Sequence, residues 1–431
     1  MLLINNAHVL DPYTGVDGMR DILIGDDGVI RDIAPHINWD GVGESVQIYD
    51  ADGKTAAPGL IDTHVHFRDP GQTEKEDVAS GMRAAAAGGF TTVVCMANTV
   101  PTCDSVETLR YVQEKAKAAG NFVNVRQACA VTKGLKGQEL TDFGALLAAG
   151  APGFTDDGIN LTDMHLCLSA MEEAVRHDTL LSFHEEDKSL VRSPGVNAGS
   201  EAARQLGLPG ALPSSEEAMV ARDIALALRT GARVVFQHIS SGLSVDLIRA
   251  GKALGAHIFC EVTPHHLSLT EDAVLTHGTY ARMNPPLRKE ADRQGLIRGL
   301  QDGTVDLIAT DHAPHTAAEK ARDFAHAPSG ITGLETAFSV CNTFLVQTGA
   351  LTKLQLLEKM SKRPAEIYGF RDKSLVPGHR AELVLLDWDC KKIYKTYYSK
   401  GINTPYTDMP LVGAPICTVM GARVIDPVQG F

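Results

Sequence analysis

The chain has 431 residues, a formal net charge of −13 and no basic run, which argues against nucleic acids and anionic membranes as partners. No apolar stretch reaches the roughly 18 residues of a membrane-spanning helix, and the N-terminus lacks the basic and apolar regions of a signal peptide. The eight cysteines are scattered without a Cys-x-x-Cys pair, so we expect free thiols and a cytoplasmic location.

Both ends of the chain show the alternation of apolar and polar residues that is typical of short β-strands. At the start it covers LLINNAHVL, RDILIGDDGVIRDIA and SVQIYDADGKTAAPG, and at the end it covers AELVLLDWDC and GAPICTVMGARVI. Because chain termini often lie close in space, we predict that residues 1–57 and 365–431 together form one small β-sandwich domain.

The region between them, residues 58–364, alternates apolar runs with helical stretches. The eight apolar runs are GLIDTHVH, TTVVCMAN, FVNVRQACAV, APGFTDD, TLLSFHEE, RVVFQHIS, HIFCEVTPHH and VDLIATDHAPH. The helical stretches include EKEDVASGMRAAAAGG, SVETLRYVQEKAKAAG, GQELTDFGALLAAG and SEEAMVARDIALALRTG, each ending in Gly as helices often do. Strands that alternate with helices indicate parallel βα units, and eight units predict an α/β fold of the (β/α)8 TIM-barrel type.

Residues able to bind metal follow the apolar part of several runs, at the C-terminal end where barrel active sites lie. His64 and His66 come first, and residues i and i+2 of a strand face the same way. Further along the chain come Asp156 and Asp157, His184, His238 and Asp311. Four imidazoles and two carboxylates suit a pair of zinc ions that share a carboxylate and hold a hydroxide between them.

Each of these residues taken alone also fits a structural role. His184 and His238 alone are typical of hydrogen-bonded core histidines, and two aspartates before a glycine are good turn chemistry. Their joint placement at strand ends favours the metal site. The sequence leaves open whether three further histidines support the metal or the fold: His265, His266 and His312.

The motifs PGLIDTHVHFRDPG, MANTVP, GFTDDG, HEED, QHIS, EVTPHHL, NPPLR, TDHAPH and GLET resemble those of the cyclic amidohydrolases, most closely the bacterial class I dihydroorotases. The resemblance covers nearly the whole chain. It implies a zinc-dependent enzyme that interconverts N-carbamoyl-L-aspartate and L-dihydroorotate in pyrimidine synthesis, with two zinc ions per subunit. In that mechanism the metal-bridging hydroxide attacks the cyclic amide.

The resemblance also implies roles for matching positions. His64 and His66 would bind one metal with Asp311 beside them, and Asp311 would also be the catalytic general acid and base. His184 and His238 would bind the other metal.

Many relatives bridge the two metals with a carboxylated lysine, where this chain has GFTDDG. Asp156 is then the implied bridge, with Asp157 left open. The implied substrate-binding residues are His66, Arg68, Asn98, Asn284, His315, Ser329 and Gly330.

Two alternative functions stay open from the sequence. A hydantoinase or allantoinase is the nearer one, although these usually carry the bridging lysine and hydantoinases lack the arginine of FRDPG. The other is a non-catalytic homologue that serves as a partner of aspartate transcarbamoylase. The sequence argues against this alternative, because every predicted ligand position holds a residue able to bind metal. We predict a homodimer that acts on a small molecule, with aspartate transcarbamoylase as a candidate partner.

Overall fold

The computed structural model describes residues 1–38, 46–427 and 430. Ser45, the first residue of the predicted strand segment SVQIYDADGKTAAPG, lies outside the described residues. The same holds for the parts of the predicted terminal domain at residues 39–44, 428–429 and 431.

Sixteen strands occur among the described residues, and they belong to a terminal sheet and a barrel. In chain order they are β1 (Leu2–Asp11), β2 (Val16–Ile24), β3 (Ile30–Ala34), β4 (Gln47–Asp50), β5 (Thr55–Pro58), β6 (Leu60–Val65), β7 (Phe90–Cys95), β8 (Asn124–Gln127), β9 (Phe154–Thr155), β10 (Leu180–Phe183), β11 (Arg233–Phe236), β12 (Ile258–Val262), β13 (Leu307–Ile308), β14 (Glu382–Lys392), β15 (Leu411–Met420) and β16 (Arg423–Ile425).

Helices separate the barrel strands and follow the last of them. They are α1 (Val78–Ala87), α2 (Val106–Ala118), α3 (Phe143–Ala148), α4 (Met164–Arg176), α5 (Glu201–Leu206), α6 (Ser214–Thr230), α7 (Gly242–Ala253), α8 (Pro264–Ser268), α9 (Ala273–His277), α10 (Glu290–Asp302), α11 (Ala317–Lys320), α12 (Ala337–Cys341), α13 (Lys353–Leu357) and α14 (Arg363–Tyr368). Short 3-10 helices lie at Lys133–Leu135, Lys188–Leu190 and Gly278–Ala281, and π-helical turns lie at Asn342–Val346 and Glu358–Lys362. The four predicted helical stretches contain α1, α2 and α3, and all of α6 except its first residue, Ser214.

The eight predicted barrel strands are confirmed as β6 to β13. Strands β6, β7 and β8 pair in parallel, and so do β9 to β13 in chain order. Two isolated parallel bridges join these groups, Cys129 with Phe154 and Val65 with His312. The strands therefore close into the predicted (β/α)8 barrel, and their carboxyl ends face one mouth.

The two ends of the chain build one sheet, in the order β16-β15-β14-β5-β1-β2-β3, with β4 paired to β1. Strand β5 from the first part pairs antiparallel with β14 from the last part, so the predicted association of the termini is confirmed. Along β14, Leu383 and Leu385 pack in the apolar core of this sheet, whereas Val384 and Leu386 pack against the barrel. This alternation follows from the two-residue period of a strand. The domain boundaries at residues 57/58 and 364/365 stay predictions.

The cysteines are free thiols, as predicted, and seven of the eight are buried. Cys103 and Cys129 come closest among the described residues, with 3.8 Å between their sulfur atoms, and they are not bonded. None of the described helices combines the length and the apolar character that crossing a bilayer demands.

Candidate metal centre and substrate cavity

The carboxyl ends of the barrel strands surround a cavity of ≈ 210 Å³. All of the predicted substrate-binding residues except His315 line it, and Gly158 and Ala313 line it in addition. Four predicted metal ligands also line this cavity, whereas His64 is fully buried beside them and Asp156 points elsewhere. The closed barrel therefore brings together residues that lie far apart in the sequence.

One group of possible metal ligands consists of His64, His66 and Asp157, all buried. The Nε2 atoms of both histidines lie 3.5 Å from carboxylate oxygens of Asp157. Asp311 lies beside them, with its Oδ1 3.1 Å from His66 Nε2 and 3.5 Å from His64 Nε2. Nitrogen and oxygen atoms this close together could bind one ion through their lone pairs.

The second group shares Asp157 and adds His184 and His238. His184 Nδ1 lies 3.6 Å and His238 Nε2 lies 3.7 Å from Asp157 Oδ1. The two ring nitrogens lie only 2.8 Å apart. Asp157 is thus one carboxylate between two pairs of imidazoles, which is the position of a bridging ligand.

The prediction that Asp156 rather than Asp157 faces the histidines is corrected by this geometry. Asp156 turns away and accepts hydrogen bonds from the backbone N–H groups of Val131 at 2.7 Å and Thr132 at 3.0 Å, and from the Thr132 hydroxyl. Burial raises the pKa of the Asp156 carboxyl to about 6. These hydrogen bonds hold the Asp156 carboxylate on the Val131–Thr132 loop, whereas the Asp157 carboxylate faces the imidazoles.

Residues that sequence analysis did not assign hold the imidazoles in place. Glu261 of β12 accepts a hydrogen bond from His64 Nδ1 at 2.9 Å and another from the His238 backbone N–H at 3.1 Å. Glu186 lies 3.4 Å from His184 Nε2. A buried carboxylate on the second nitrogen of a ligating imidazole fixes its tautomer and orientation. The signal in the sequence was a glutamate inside an apolar barrel strand, HIFCEV.

Asp62 links the first and last barrel strands through hydrogen bonds. Its carboxylate accepts hydrogen bonds from the backbone N–H of His64 at 3.1 Å, and from the Thr310 backbone N–H at 3.1 Å and hydroxyl at 2.5 Å. Burial raises the pKa of Asp62 to about 7, although these hydrogen bonds act against the rise. Asp62 thus closes the barrel next to the metal-binding residues.

The three histidines that the sequence left open make structural contacts. His312 accepts a hydrogen bond from the Gly333 N–H at its Nδ1 and lies 3.3 Å from Glu76 at its Nε2. His266 makes hydrogen bonds to the Thr263 hydroxyl at 2.8 Å and to the carbonyl oxygen of Pro285 at 3.1 Å. The ring of His265 packs against that of His266 at 4.6 Å.

The electrostatics of the cavity keep its two aspartates ionised. Burial alone raises the pKa of the Asp157 carboxyl, but the charge of His64 and hydrogen bonds from His184 and His238 outweigh burial and hold the pKa well below its usual range. For Asp311, burial is likewise outweighed by His64 and His66, so its pKa is lowered too.

One structural observation, which does not depend on similarity to other proteins, shows that the residues of this centre fit a metal ion. His64 Nε2 is buried, points at Asp157 and Asp311, and has no hydrogen-bond partner among the described residues. A buried polar atom without a partner is costly, and an ion bound by this nitrogen in its deprotonated form would satisfy it. Imidazole nitrogens and carboxylate oxygens are the donors of zinc sites.

The substrate side of the cavity offers unpaired polar groups. Arg68 adopts φ 57° and its Nε is buried without a partner in the described part of the chain. Asn98 bonds His66 Nδ1 at 2.9 Å through its Oδ1 and Asp157 at 3.1 Å through its Nδ2. Asn284 donates to Glu186 at 2.9 Å and leaves its Oδ1 buried without a partner among residues 1–38 and 46–427. An anionic amide substrate needs such a donor and such an acceptor.

The loop after β13 contributes the remaining wall. His315 Nε2 bonds the carbonyl oxygen of Ser329 at 2.9 Å. Ser329 and Gly330 line the cavity, so His315 supports this wall from behind. The direct substrate contact predicted for His315 stays a prediction.

A metal measurement tests the centre directly. Purified protein is expected to carry close to two zinc-like ions per chain, because Asp157 lies between two imidazole pairs. Reconstitution of chelator-treated protein is expected not to depend on bicarbonate, since an aspartate needs no carboxylation to become a ligand. Elemental analysis with circular dichroism checks both points. Occupancy near one ion per chain would contradict a bridged pair.

Solved structures with the same fold include the L-hydantoinase (dihydropyrimidinase) from Arthrobacter aurescens, with a TM-score of 0.85 and 24% identity. This chain is covered to 98% and that chain to 95%. The D-hydantoinase (dihydropyrimidinase) from a Thermus species matches with a TM-score of 0.84 and 22% identity over 99% of this chain and 96% of that one. The likeness to these structures shows the fold that this chain shares with them.

Named relatives identify the family to which the chain belongs. A family model described as dihydro-orotase-like matches residues 53–244. The chain is 49% identical to a dihydroorotase of Clostridioides difficile and 46% identical to one of Clostridium acetobutylicum, over 99% of this chain and 99% of each relative. It is 44% identical to a dihydroorotase of Streptococcus pneumoniae, again over 99% of both chains. The chain belongs to the dihydroorotase family.

Proposed function

We propose that this chain catalyses the reversible cyclisation of N-carbamoyl-L-aspartate to L-dihydroorotate in the synthesis of pyrimidines. One observation supports it best: the same cavity holds the imidazole–aspartate centre and the unpaired Arg68 Nε. A cyclic amide that carries a carboxylate uses both, because the centre acts on the amide and the guanidinium binds the carboxylate. The dihydroorotase relatives at 43–49% identity support the same substrate.

The metal ions would be two zinc ions, one held by His64 and His66 and the other by His184 and His238, with Asp157 shared. When bound, they would supply Lewis acidity for the carbonyl oxygen and would make water acidic enough to attack.

The chain's own residues would carry the proton and hold the substrate. Asp311, ionised at the start, accepts a proton from the attacking water and delivers it to the ring nitrogen as the C–N bond breaks. Arg68 binds the substrate carboxylate, and Asn284 accepts a hydrogen bond from a ring N–H through its free Oδ1. In the cyclisation direction the same proton moves the opposite way.

The direct test is a dihydroorotate ring-opening assay on metal-replete protein. The loss of absorbance of the cyclic amide measures the reaction. Ring opening of dihydroorotate with little activity on hydantoin or allantoin is expected. Protein with two ions per chain that leaves dihydroorotate intact, or that opens hydantoin as readily, would contradict the proposed substrate.

Arg68→Met tests the carboxylate contact. We expect kcat/KM for dihydroorotate to fall about 10- to 150-fold, because hydrogen bonds to a charged group contribute roughly 1.5–3 kcal/mol. Dihydrouracil has the same ring without the carboxylate, so its slow turnover is expected to stay unchanged. Kinetics on both substrates measure the preference. An unchanged preference in the variant would remove Arg68 from the carboxylate site and leave the enzyme assignment intact.

The location and the partners belong to the same proposal. Eight free thiols, seven of them buried, support a reducing compartment such as the cytoplasm. The homodimer and the association with aspartate transcarbamoylase stay predictions. Light scattering on the purified chain, alone and mixed with the transcarbamoylase of the same cell, measures both.

A further inference from the structure

A buried carboxamide from outside the barrel contacts the loop that carries Gly330, in addition to the hydrogen bond that Lys320 Nζ donates to the Gly330 carbonyl at 3.1 Å. Asn403 lies in the segment between β14 and β15, and only 1% of the residue is exposed. Its Oδ1 accepts a hydrogen bond from the backbone N–H of His315 at 2.9 Å. Its Nδ2 donates to the carbonyl oxygens of Ala313 at 3.1 Å and Gly330 at 3.0 Å. One side chain therefore fixes both ends of the loop at residues 313–330.

The main chain of Asn403 adds a fourth contact to the same region. Its carbonyl oxygen accepts a hydrogen bond from the Thr332 N–H at 3.1 Å. A carboxamide has two donor hydrogens and one acceptor oxygen, and all of these functions are used on backbone groups of the loop. An arrangement of this kind sets the position of a backbone rather than filling space.

The loop depends on such contacts because its backbone itself forms the cavity wall. Gly330 adopts φ 138°, a conformation that residues with a Cβ rarely adopt. A Cβ there would lie 2.8 Å from both the Cβ and the carbonyl oxygen of Ala313. Ala313 and Gly330 both line the substrate cavity. A small shift of either backbone would therefore change the shape of the cavity.

The segment that carries Asn403 is fixed to the barrel by two buried carboxylates. Glu335 accepts hydrogen bonds from the backbone N–H groups of Tyr398 at 2.9 Å and Ser399 at 3.1 Å. Glu76 accepts a hydrogen bond from the Ser399 hydroxyl. These hydrogen bonds fix residues 398 and 399 relative to the barrel, and Asn403 follows four residues after Ser399 in the chain.

A close backbone contact completes the fit between this segment and the loop. Gly401 lies against Pro314, so that an added Cβ would be 2.7 Å from the Pro314 Cβ. The same Cβ would lie 2.9 Å from the Oδ1 of Asn403. Only a residue without a side chain allows the segment to approach the loop this closely.

We propose that Asn403 is a positioning residue for substrate binding, through which the C-terminal segment sets the Ala313 and Gly330 walls of the cavity. This proposal rests on the proposed function, because it assigns the positioned wall to the dihydroorotate site. Loss of Asn403 then weakens substrate binding while Asp311 and the metal ligands keep their places.

Asn403→Ala is compared with Asn342→Ala, a matched variant remote from the cavity. Asn342 is also fully buried, and its Nδ2 donates to the carbonyl oxygens of Trp388 at 2.9 Å and Val412 at 2.8 Å. Both variants lose two amide-to-carbonyl hydrogen bonds, and Asn403→Ala also removes the acceptor of the His315 N–H, so both are expected to lower Tm. In metal-replete protein, Asn403→Ala is expected to raise KM for dihydroorotate about 10-fold with kcat within about threefold, and Asn342→Ala is expected to leave KM unchanged.

A second readout does not need activity. Amide hydrogen exchange in peptides that cover residues 313–331 is expected to quicken in Asn403→Ala and to stay at the wild-type rate in Asn342→Ala. If wild type does not open dihydroorotate, the proposed function fails, and the exchange rates still decide whether Asn403 holds the loop.

A folded Asn403→Ala protein with wild-type KM and wild-type exchange would overturn the proposal, and so would an equal rise of KM in Asn342→Ala. If Asn403→Ala does not accumulate as folded protein, Gly401→Ala takes its place. This variant pushes against Pro314 and is expected to raise KM in the same way, and an unchanged KM in it would overturn the proposal.

Discussion

Asp157→Ala is expected to remove metal from both halves of the centre and to abolish turnover. Its carboxylate lies within 3.7 Å of one ring nitrogen from each of the four histidines, so no other described side chain takes its place between the two pairs. Metal affinity is expected to fall by more than the roughly 10- to 100-fold that loss of a supporting residue causes. Elemental analysis after dialysis and the ring-opening assay measure the two effects.

Asp156→Ala is the matched control, since it deletes the neighbouring carboxylate of the same turn. That carboxylate pairs the backbone N–H groups of Val131 and Thr132, and leaving buried donors unpaired costs about 1–3 kcal/mol each. We expect this variant to unfold at lower temperature and to retain its metal while folded. Loss of metal from Asp156→Ala with retention in Asp157→Ala would return the bridging role to Asp156.

Asp311→Asn is expected to lower kcat by roughly 10²- to 10⁴-fold, the usual contribution of a general acid–base group. The amide keeps the shape of the side chain and one oxygen near His66, but it cannot accept and return a proton. Because the proton moves only as the reaction proceeds, KM is expected to change much less than kcat. Steady-state kinetics in both directions separate the two constants.

The metal content of Asp311→Asn is the control for this variant. Unchanged metal with a large loss of kcat would support proton transfer by Asp311. Near-normal turnover in metal-replete Asp311→Asn would show that another group moves the proton. A loss of metal that accounts for the loss of activity would instead make Asp311 a ligand without the proton role.

Much of the fold followed from local patterns in the sequence. Seven of the eight barrel strands lie inside their apolar runs, and β7 begins one residue before its run, at Phe90. Helices α1, α2 and α3 lie inside their helical stretches, and α6 begins one residue before its stretch, at Ser214. Such patterns are local because a strand buried on both faces needs a short apolar run, and a helix end favours glycine. The placement of histidines and aspartates after those runs was visible for the same reason.

The choice between Asp156 and Asp157 depended on more than local sequence. Both follow β9 in an Asp-Asp-Gly turn, and either could face inwards by sequence alone. The decision comes from Val131 and Thr132, about one βα unit earlier in the chain, whose N–H groups capture Asp156. Many relatives have a bridging lysine in this segment, and comparison with them could not show which of two adjacent aspartates takes its place.

The sequence by itself determined the kind of protein: a barrel with metal-binding residues at its strand ends and a sheet built from both termini. The tertiary structure alone decided which carboxylates and carboxamides lie around the cavity. Glu261 reaches His64 across 197 residues of chain, and Asn403 reaches Gly330 across 73. The physical reason is that strand and helix patterns depend on neighbours in sequence. Hydrogen bonds and metal geometry instead depend on where closure of the barrel places distant side chains.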